Sequence, residues 1–449
     1  MTNGDGNNAS DNVSGHAAGN GRGGGPRSGY SRRTRANGTV VERDKDGRTR
    51  TVITNRGTKA NLDSRGRVTS IRDERGNTIS RGPRGERRVE TLRADRSRIV
   101  SFGHRGGYVE RPFDRGGRQY LRRTYVVGGH YYAHVYRGHY YHGVPYFVYV
   151  PPYYYAPAYY GWIYNPWPRP VYYHWGWYGS PWYRPYGYYF APYPAYPYAS
   201  LWLTDYLLAE NLRLAYEAGA GGDYRSSREE GGFVLAAYHA RTGAENWEAN
   251  PAAGDSAVLT PQIKQMIADE VKTVIAEQQQ AATSAPRSSS ASPDDELPAA
   301  LDAKHRVFVT YSVLEVTDAS GDACSLTSSD VVERIANVSD KDNTVAAQVL
   351  ASKKSDCAIG SQVRMQVTDL NDMLNHLREQ VDAGVKILAE KQGKDGLPKA
   401  PPAKPRAVAE GTAVPDKAAA TELEKQARDA DQAEKEVQQE APADPDGDN

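Results

Sequence analysis

Four histidines, His130, His134, His139 and His142, lie close together in a tyrosine-rich run, and imidazole is a common transition-metal ligand. A two-residue hairpin turn at Arg137-Gly138 would put His134 and His139 on one face in diagonal positions. His142 would then point to the other face. His130 is four residues from His134, about 13 Å along a strand rising about 3.3 Å per residue, too far to share one ion with it. Two imidazoles without a nearby cysteine or carboxylate make a poor site. His134 and His139 are therefore weak metal candidates, and aromatic-strand histidines are the favoured reading.

The chain's two cysteines, Cys324 and Cys357, each sit beside a turn of one short region. A disulfide between them would close a loop that stabilises the fold by roughly 3–4 kcal/mol in the loop-entropy account. It would also imply an oxidising compartment. The alternative is a pair of small hydrophobes in a cytosolic protein. No CxxC or zinc spacing supports a third reading.

Catalysis has little to stand on. The sequence carries no P-loop, no GxGxxG after a strand, no GxSxG and no HExxH, and neither cysteine sits in a nucleophile's context. The chain is expected to be non-enzymatic and to use no cofactor.

Binding is better served. Nearly all of the 32 tyrosines fall between Tyr108 and Tyr224, and most of the seven tryptophans are interleaved with them. Tyr and Trp join an apolar face to a polar tip, so a ribbon of them can adhere to a wet surface or stack on sugar rings. The candidates are Tyr153, Tyr159, Trp162, Trp167, Tyr173, Trp175, Trp177 and Trp182. With prolines at Pro151, Pro152, Pro157, Pro166, Pro168 and onward removing ladder donors, residues 125–200 are expected to form an extended or loosely folded surface with many rings exposed.

The elements that would carry these residues divide the 449-residue chain into unlike parts. Residues 1–38 are Gly- and Arg-rich with almost nothing apolar, and are expected to be disordered. No charged region followed by an apolar one is visible there as a signal peptide. Over residues 39–150, short β-branched runs such as TVVER and RTRTVIT alternate with glycines at Gly47, Gly57, Gly66, Gly76 and Gly85, then Gly106, Gly116 and Gly138. That rhythm predicts an antiparallel β-meander of hairpins. The Pro-rich aromatic segment fills 151–200.

Next comes a helix over 201–219, with Thr204 as cap and Asp205 against its N-terminal dipole, and a linker over 220–256. A second helix over 257–281 has Thr260 as cap, Pro261 at its first position and an apolar stripe from Ile263 through Ile267 and Val271 to Ile275. That stripe needs a partner, either the core or, by self-association, a second copy. After a linker over 282–297, residues 298–392 predict a small SH3-like β-barrel followed by a helix with Leu370, Leu374, Leu377, Val381, Val385 and Leu388 on one face. Residues 393–449 read as a disordered acidic tail with a transient helix across TELEKQARDADQAEKEVQQE. The fold class is multi-part and mainly β, with helices and disordered termini.

Net charge is +1 only because a basic front cancels an acidic back. The arginine strands could bind nucleic acid or another polyanion, but no recognised nucleic-acid module accompanies them. The simpler reading is a solvated sheet whose arginines discourage edge pairing. An acidic polysaccharide or envelope surface would use the same arginines. No run of about twenty apolar residues exists, so no transmembrane segment is expected.

Two resemblances enter on specific residues. The octets Asp63–Ser70 and Asp73–Ser80, with a cousin at Asp44–Thr51, resemble the D-x-x-G-R turns of the tyrosine-aspartate (YD, Rhs-type) repeats of bacterial surface proteins. The tyrosine that names those repeats is absent from this part. Tyr173-His-Trp-Gly-Trp-Tyr178 is similar to the YxWGxW repeat of bacterial envelope proteins, with tyrosine in the last position. The order of parts resembles a family of Tyr/Trp/Gly/Pro-rich bacterial envelope proteins without an assigned activity. That resemblance implies a structural or adhesive role and a periplasmic, outer-envelope or extracellular location.

Overall fold

A computed structural model describes residues 31–83, 85–103, 106–219, 258–284, 297–353 and 356–440. The expected linker over 220–256, most of the linker over 282–297 and the ends of the chain at 1–30 and 441–449 lie outside the described residues.

The hairpin rhythm builds a twelve-stranded antiparallel sheet in strict sequence order. Its strands are β1 (Ser31–Thr34), β2 (Val40–Arg43), β3 (Thr49–Ile53), β4 (Lys59–Leu62), β5 (Val68–Arg72), β6 (Asn77–Arg81), β7 (Arg87–Leu92), β8 (Arg98–Phe102), β9 (Gly106–Arg115), β10 (Arg118–Val127), β11 (His130–Tyr141) and β12 (Val144–Val150). The repeated turn has a local cause. In the β4–β5 turn Asp63 Oδ1 accepts from the backbone N–H groups of Arg65 and Arg67, both at 2.9 Å, and Gly66 closes the turn with φ +76°. Glycine adopts that left-handed conformation without a Cβ penalty. The same geometry recurs at Asp44 and Asp73.

Gly138 breaks the rhythm. It lies inside β11, and the flanking turns fall at Gly128-Gly129 and His142-Gly143. The hairpin expected at Arg137-Gly138 is therefore absent, because the β-rich sequence on both sides of the glycine pairs continuously with β10 and β12.

A two-stranded bridge joins β13 (Tyr153–Tyr154) to β20 (Arg406–Ala407). A second antiparallel sheet holds β14 (Val307–Val309), β15 (Leu314–Asp318), β16 (Ala323–Leu326), β17 (Val331–Arg334), β18 (Thr344–Ala351) and β19 (Gln362–Gln366), in the order β14-β17-β18-β19-β15-β16. Cys324 and Cys357 are bonded there, with Cα atoms 5.2 Å apart. The helices are α1 (Pro157–Tyr164), α2 (Ala199–Gly219), α3 (Pro261–Thr283), α4 (Val367–Lys391) and α5 (Ala419–Glu440).

The apolar stripes of α3 and α4 behave as their periodicity requires. Thr260 caps α3 by accepting from Ile263 N at 3.3 Å, and Ile267, Val271, Val274 and Ile275 are buried against the rest of the chain. Of the two partners the stripe could have, the core is the one it meets, so it is covered from within and not left for a second copy. Helix α2 begins five residues before the expected cap. Thr204 lies inside it, bonded to the Ser200 carbonyl, and Asp205 faces the core instead of the helix terminus.

The aromatic segment is the main correction. Tyr159, Tyr160, Trp167, Trp175, Trp177, Trp182, Tyr183, Tyr186, Tyr189, Phe190 and Tyr196 are buried in one core with α2, α3, α4 and the six-stranded sheet. Rings do the filling expected of aliphatic side chains: Trp175 stacks on Trp202 at 5.1 Å, and Trp202 on Tyr206 at 5.5 Å. Tyrosine hydroxyls tie the segment to backbone carbonyls within it and in its neighbours. Tyr159 Oη donates to the Val385 carbonyl, Tyr183 Oη to that of Phe190 and Tyr189 Oη to that of Ser329, at 2.8–2.9 Å.

The acidic tail is also ordered as far as it is described. Residues 406–440 cross one face of the long sheet from β11–β12 back to β1–β3, ending where Thr39 Oγ1 donates to Glu440 at 2.6 Å.

Candidate functional site

Strand pairing puts Val41, Val52, Ala60, Ile71, Ile79 and Val89 in one row across six strands. Ala430, Ala433 and Val437 of α5 close over that row. Beside it the acids of α5 meet arginines of the same face. Arg75 pairs with Asp429 at 2.7 Å, Arg81 with Glu434 at 2.6 Å, Arg87 with Asp431 at 2.8 Å and Arg93 with Glu422 at 2.9 Å. Arg111 meets both Asp416, at 2.5 Å, and Glu422. Of these, Arg87 is the buried anchor; an exposed pair such as Arg75–Asp429 adds at most about 1 kcal/mol. The arginines that the sequence offers to a polyanion are, on this face, neutralised by the chain's own tail.

The opposite face carries a cross-strand charge ladder. Arg98, Glu110, Arg123 and His134 stand side by side on β8, β9, β10 and β11. A row of Tyr108, Tyr125 and Tyr132 runs next to it. Helix α4 lowers Asp372, His376 and Glu379 onto the ladder, positions spaced four and three residues apart and so sharing one helix face. Arg123 is fully buried and reaches Glu110 at 2.6 Å, Asp372 at 3.3 Å and Glu379 at 3.4 Å, with Tyr108 and Tyr136 rings 4.3 and 4.5 Å from its guanidinium.

Burial would raise the Glu379 carboxyl, but His134 and Arg123 outweigh it and hold the group well below the usual carboxylate range. Burial, with Arg123 and His134 nearby, lowers His376 to about 4, so it is neutral at physiological pH, stacked on Tyr311. A cleft of about 10 Å³ lined by Arg88, Tyr311, Asp369 and Asp372 adjoins this cluster, room for about one water.

A second ionic clamp fixes α3. His305 lies between Glu270 and Glu277, the latter at 2.8 Å, and Arg378 of α4 reaches Glu277 at 3.0 Å. Burial alone would lower His305; the two carboxylates outweigh it and push it up to about 9. A histidine raised in the folded state stabilises fully below its unfolded value of 6.5, and the contribution is lost as pH rises through 9. Urea unfolding should therefore show stability falling by about 3 kcal/mol between these limits. His305→Gln should flatten that slope, and an unchanged slope in the variant would remove His305 as its source.

The remaining sequence candidates are distributed as follows. His134 and His139 lie on one strand, five residues apart, so their side chains point to opposite faces and they do not share an ion. Tyr159, Trp167, Trp175, Trp177 and Trp182 are core residues, Trp162 and Tyr173 are partly buried against that core, and Tyr153 is exposed. Sequence reasoning missed the Arg98–Glu110–Arg123 ladder and its α4 partners. The available signal was the i, i+4, i+7 polar stripe Asp372, His376, Glu379 beside the apolar one. Among the described residues, no helix is long and apolar enough to cross a membrane. No protein-family model, curated protein or solved structure matches the chain.

Proposed function

We propose that this chain is a non-catalytic structural and assembly protein of a bacterial cell envelope or outer surface. The observation that carries the reading is the bonded Cys324–Cys357 pair, a covalent staple that persists in oxidising compartments. The construction fits a frame. A long sheet is clamped on one face by its own acidic tail and on the other by α4 and a small β-domain, which we read as SH3-like. The resemblance to Tyr/Trp/Gly/Pro-rich envelope proteins points the same way. Adhesion through a continuous aromatic ribbon is dropped, since its rings are core. Any contact by stacking on sugars falls to the exposed Tyr153, Tyr164, Tyr172 and Tyr188.

The competing reading, a binder of nucleic acid or another polyanion, has less to stand on because tail acids occupy the arginine face. Fractionation of native cells with alkylation of free thiols tests the proposal. The chain should appear in an extracytoplasmic fraction with both cysteines protected until reduction. Recovery in the cytosol with alkylated Cys324 and Cys357 would overturn it.

A further inference from the structure

The six-stranded sheet holds a second arrangement able to form a covalent bond. Asp330 sits just before β17 and Lys353 just after β18, and the pairing of Val331 with Ala351 brings the two strand ends together. Lys353 Nζ lies 2.5 Å from Asp330 Oδ1 and 4.0 Å from Asp356, and all three side chains are shut away from solvent. Asp356 precedes Cys357, whose disulfide to Cys324 on β16 pins that segment. The Tyr189 ring of the aromatic core lies 4.6 Å from the ammonium. Thr327 donates its backbone N–H to the other oxygen of Asp330 at 2.7 Å and its hydroxyl to Asp356 at 2.5 Å.

We propose that Lys353 and Asp330 condense spontaneously into an intramolecular amide, with Asp356 as the proton carrier. The starting charges are a lysine ammonium, a protonated Asp330 and an ionised Asp356. Asp356 takes one proton from the ammonium. The free amine attacks Cγ of Asp330, and the developing oxyanion falls where Thr327 donates. The amine's second proton passes to the leaving hydroxyl, the Cγ–O bond breaks and water departs. An Nζ–Cγ amide and a protonated Asp356 remain, so atoms and charge balance with no oxidant or co-reactant.

Three features favour the step. Fixing amine and acid in contact replaces a bimolecular encounter by an intramolecular one, for which effective molarities reach about 10⁵–10⁸ M. Burial, opposed by Lys353 and reinforced by Asp356, raises the Asp330 carboxyl above its usual range and so favours its electrophilic acid form. Exclusion of water removes the solvent that would reverse the bond. A structural ion pair would need only one carboxylate. The second, placed beside the first, is what proton transfer requires. The inference stands independently of the compartment proposed above, since the reaction needs no oxidising environment.

Intact mass of the full chain, reduced and denatured, decides it. The expected mass is lower than the sequence mass by one water, and digestion should yield a branched species joining the peptides that contain Asp330 and Lys353. Lys353→Met and Asp356→Asn should restore the full mass. Asp330→Asn should lose ammonia in place of water, a readout no ion pair would give. A wild-type mass equal to the sequence mass would overturn the proposal whether or not the variants fold. A lost water without the joined peptide would overturn it too, since that signature belongs to a succinimide elsewhere.

Discussion

Arg123→Met is expected to destabilise the protein by about 3–5 kcal/mol at neutral pH, the range for removing one partner of a buried ionic cluster. The substitution keeps the volume and the stem's packing against Tyr108 and Tyr136. It removes the guanidinium that Glu110, Asp372 and Glu379 all face. Arg98 still holds Glu110 at 2.6 Å and Asp372 at 2.7 Å, so the uncompensated charge is chiefly that of Glu379. That residue keeps hydrogen bonds from Tyr125, at 2.8 Å, and Tyr136.

The sign of the pH dependence follows. A carboxyl depressed in the folded state stabilises above its unfolded pKa, and its contribution is lost as pH falls through the folded one. Taking away Arg123 lets the Glu379 carboxyl rise. The deficit of the variant should therefore be largest at neutral pH and shrink toward pH 4, and adding Glu379→Gln should recover part of it. Urea unfolding followed by circular dichroism at both pH values reads this. A loss under about 1 kcal/mol at neutral pH would mean that His134 and the tyrosine hydroxyls, and not Arg123, compensate Glu379.

The features legible in the sequence are those fixed locally. An aspartate followed three residues later by glycine builds its own turn, because the side chain and the left-handed glycine act within five residues; hence the meander at Asp44, Asp63 and Asp73 could be read directly. The cap of α3 and the apolar stripes of α3 and α4 are similarly local. Gly138 shows the limit of the rhythm: a glycine in a strand and a glycine in a turn look alike until the partner strands are known.

The aromatic segment misled for a related reason. Prolines do deny it a regular ladder, but compactness came from ring-on-ring packing and hydroxyl bonds to distant carbonyls, such as Tyr159 to Val385 and Tyr189 to Ser329. The buried Lys264–Asp205 pair, at 2.6 Å, likewise joins α3 to α2 across a long stretch of sequence and under the Tyr193 ring. For the tail, low hydropathy suggested disorder, yet Leu423, Ala430, Ala433 and Val437 form a narrow apolar stripe, and the acids beside it match arginines hundreds of residues away. The opposite charges of front and back were visible; their register was not.

Ending the chain after Gly411 is expected to convert a protein with little affinity for polyanions into one that binds duplex DNA or heparin at low salt. The truncation removes Asp416, Glu422, Asp429, Asp431, Glu434, Glu436 and Glu440 from the sheet face and leaves Arg75, Arg81, Arg87, Arg93 and Arg111 without them. It also exposes the Ala60–Ile71–Ile79–Val89 row, so some stability is lost with the apolar cover. Each arginine that reaches a phosphate adds about 0.9 to the slope of log affinity against log salt. Engagement of four or five of them would give a slope near −4 and at least a tenfold gain over the full chain at low salt.

Because the truncated chain could lose its fold, the same question is put to the full-length protein with Glu422→Gln, Asp431→Asn and Glu434→Gln combined. This variant keeps α5 and its Ala-rich stripe but weakens the ionic hold, so it should bind DNA more tightly than wild type and less tightly than the truncation. A synthetic peptide of residues 412–440, added to the truncated chain, should compete with DNA for the arginine face. If neither altered form gains salt-dependent affinity, the tail is cover for the apolar row alone and the arginines of that face are not a latent anion surface.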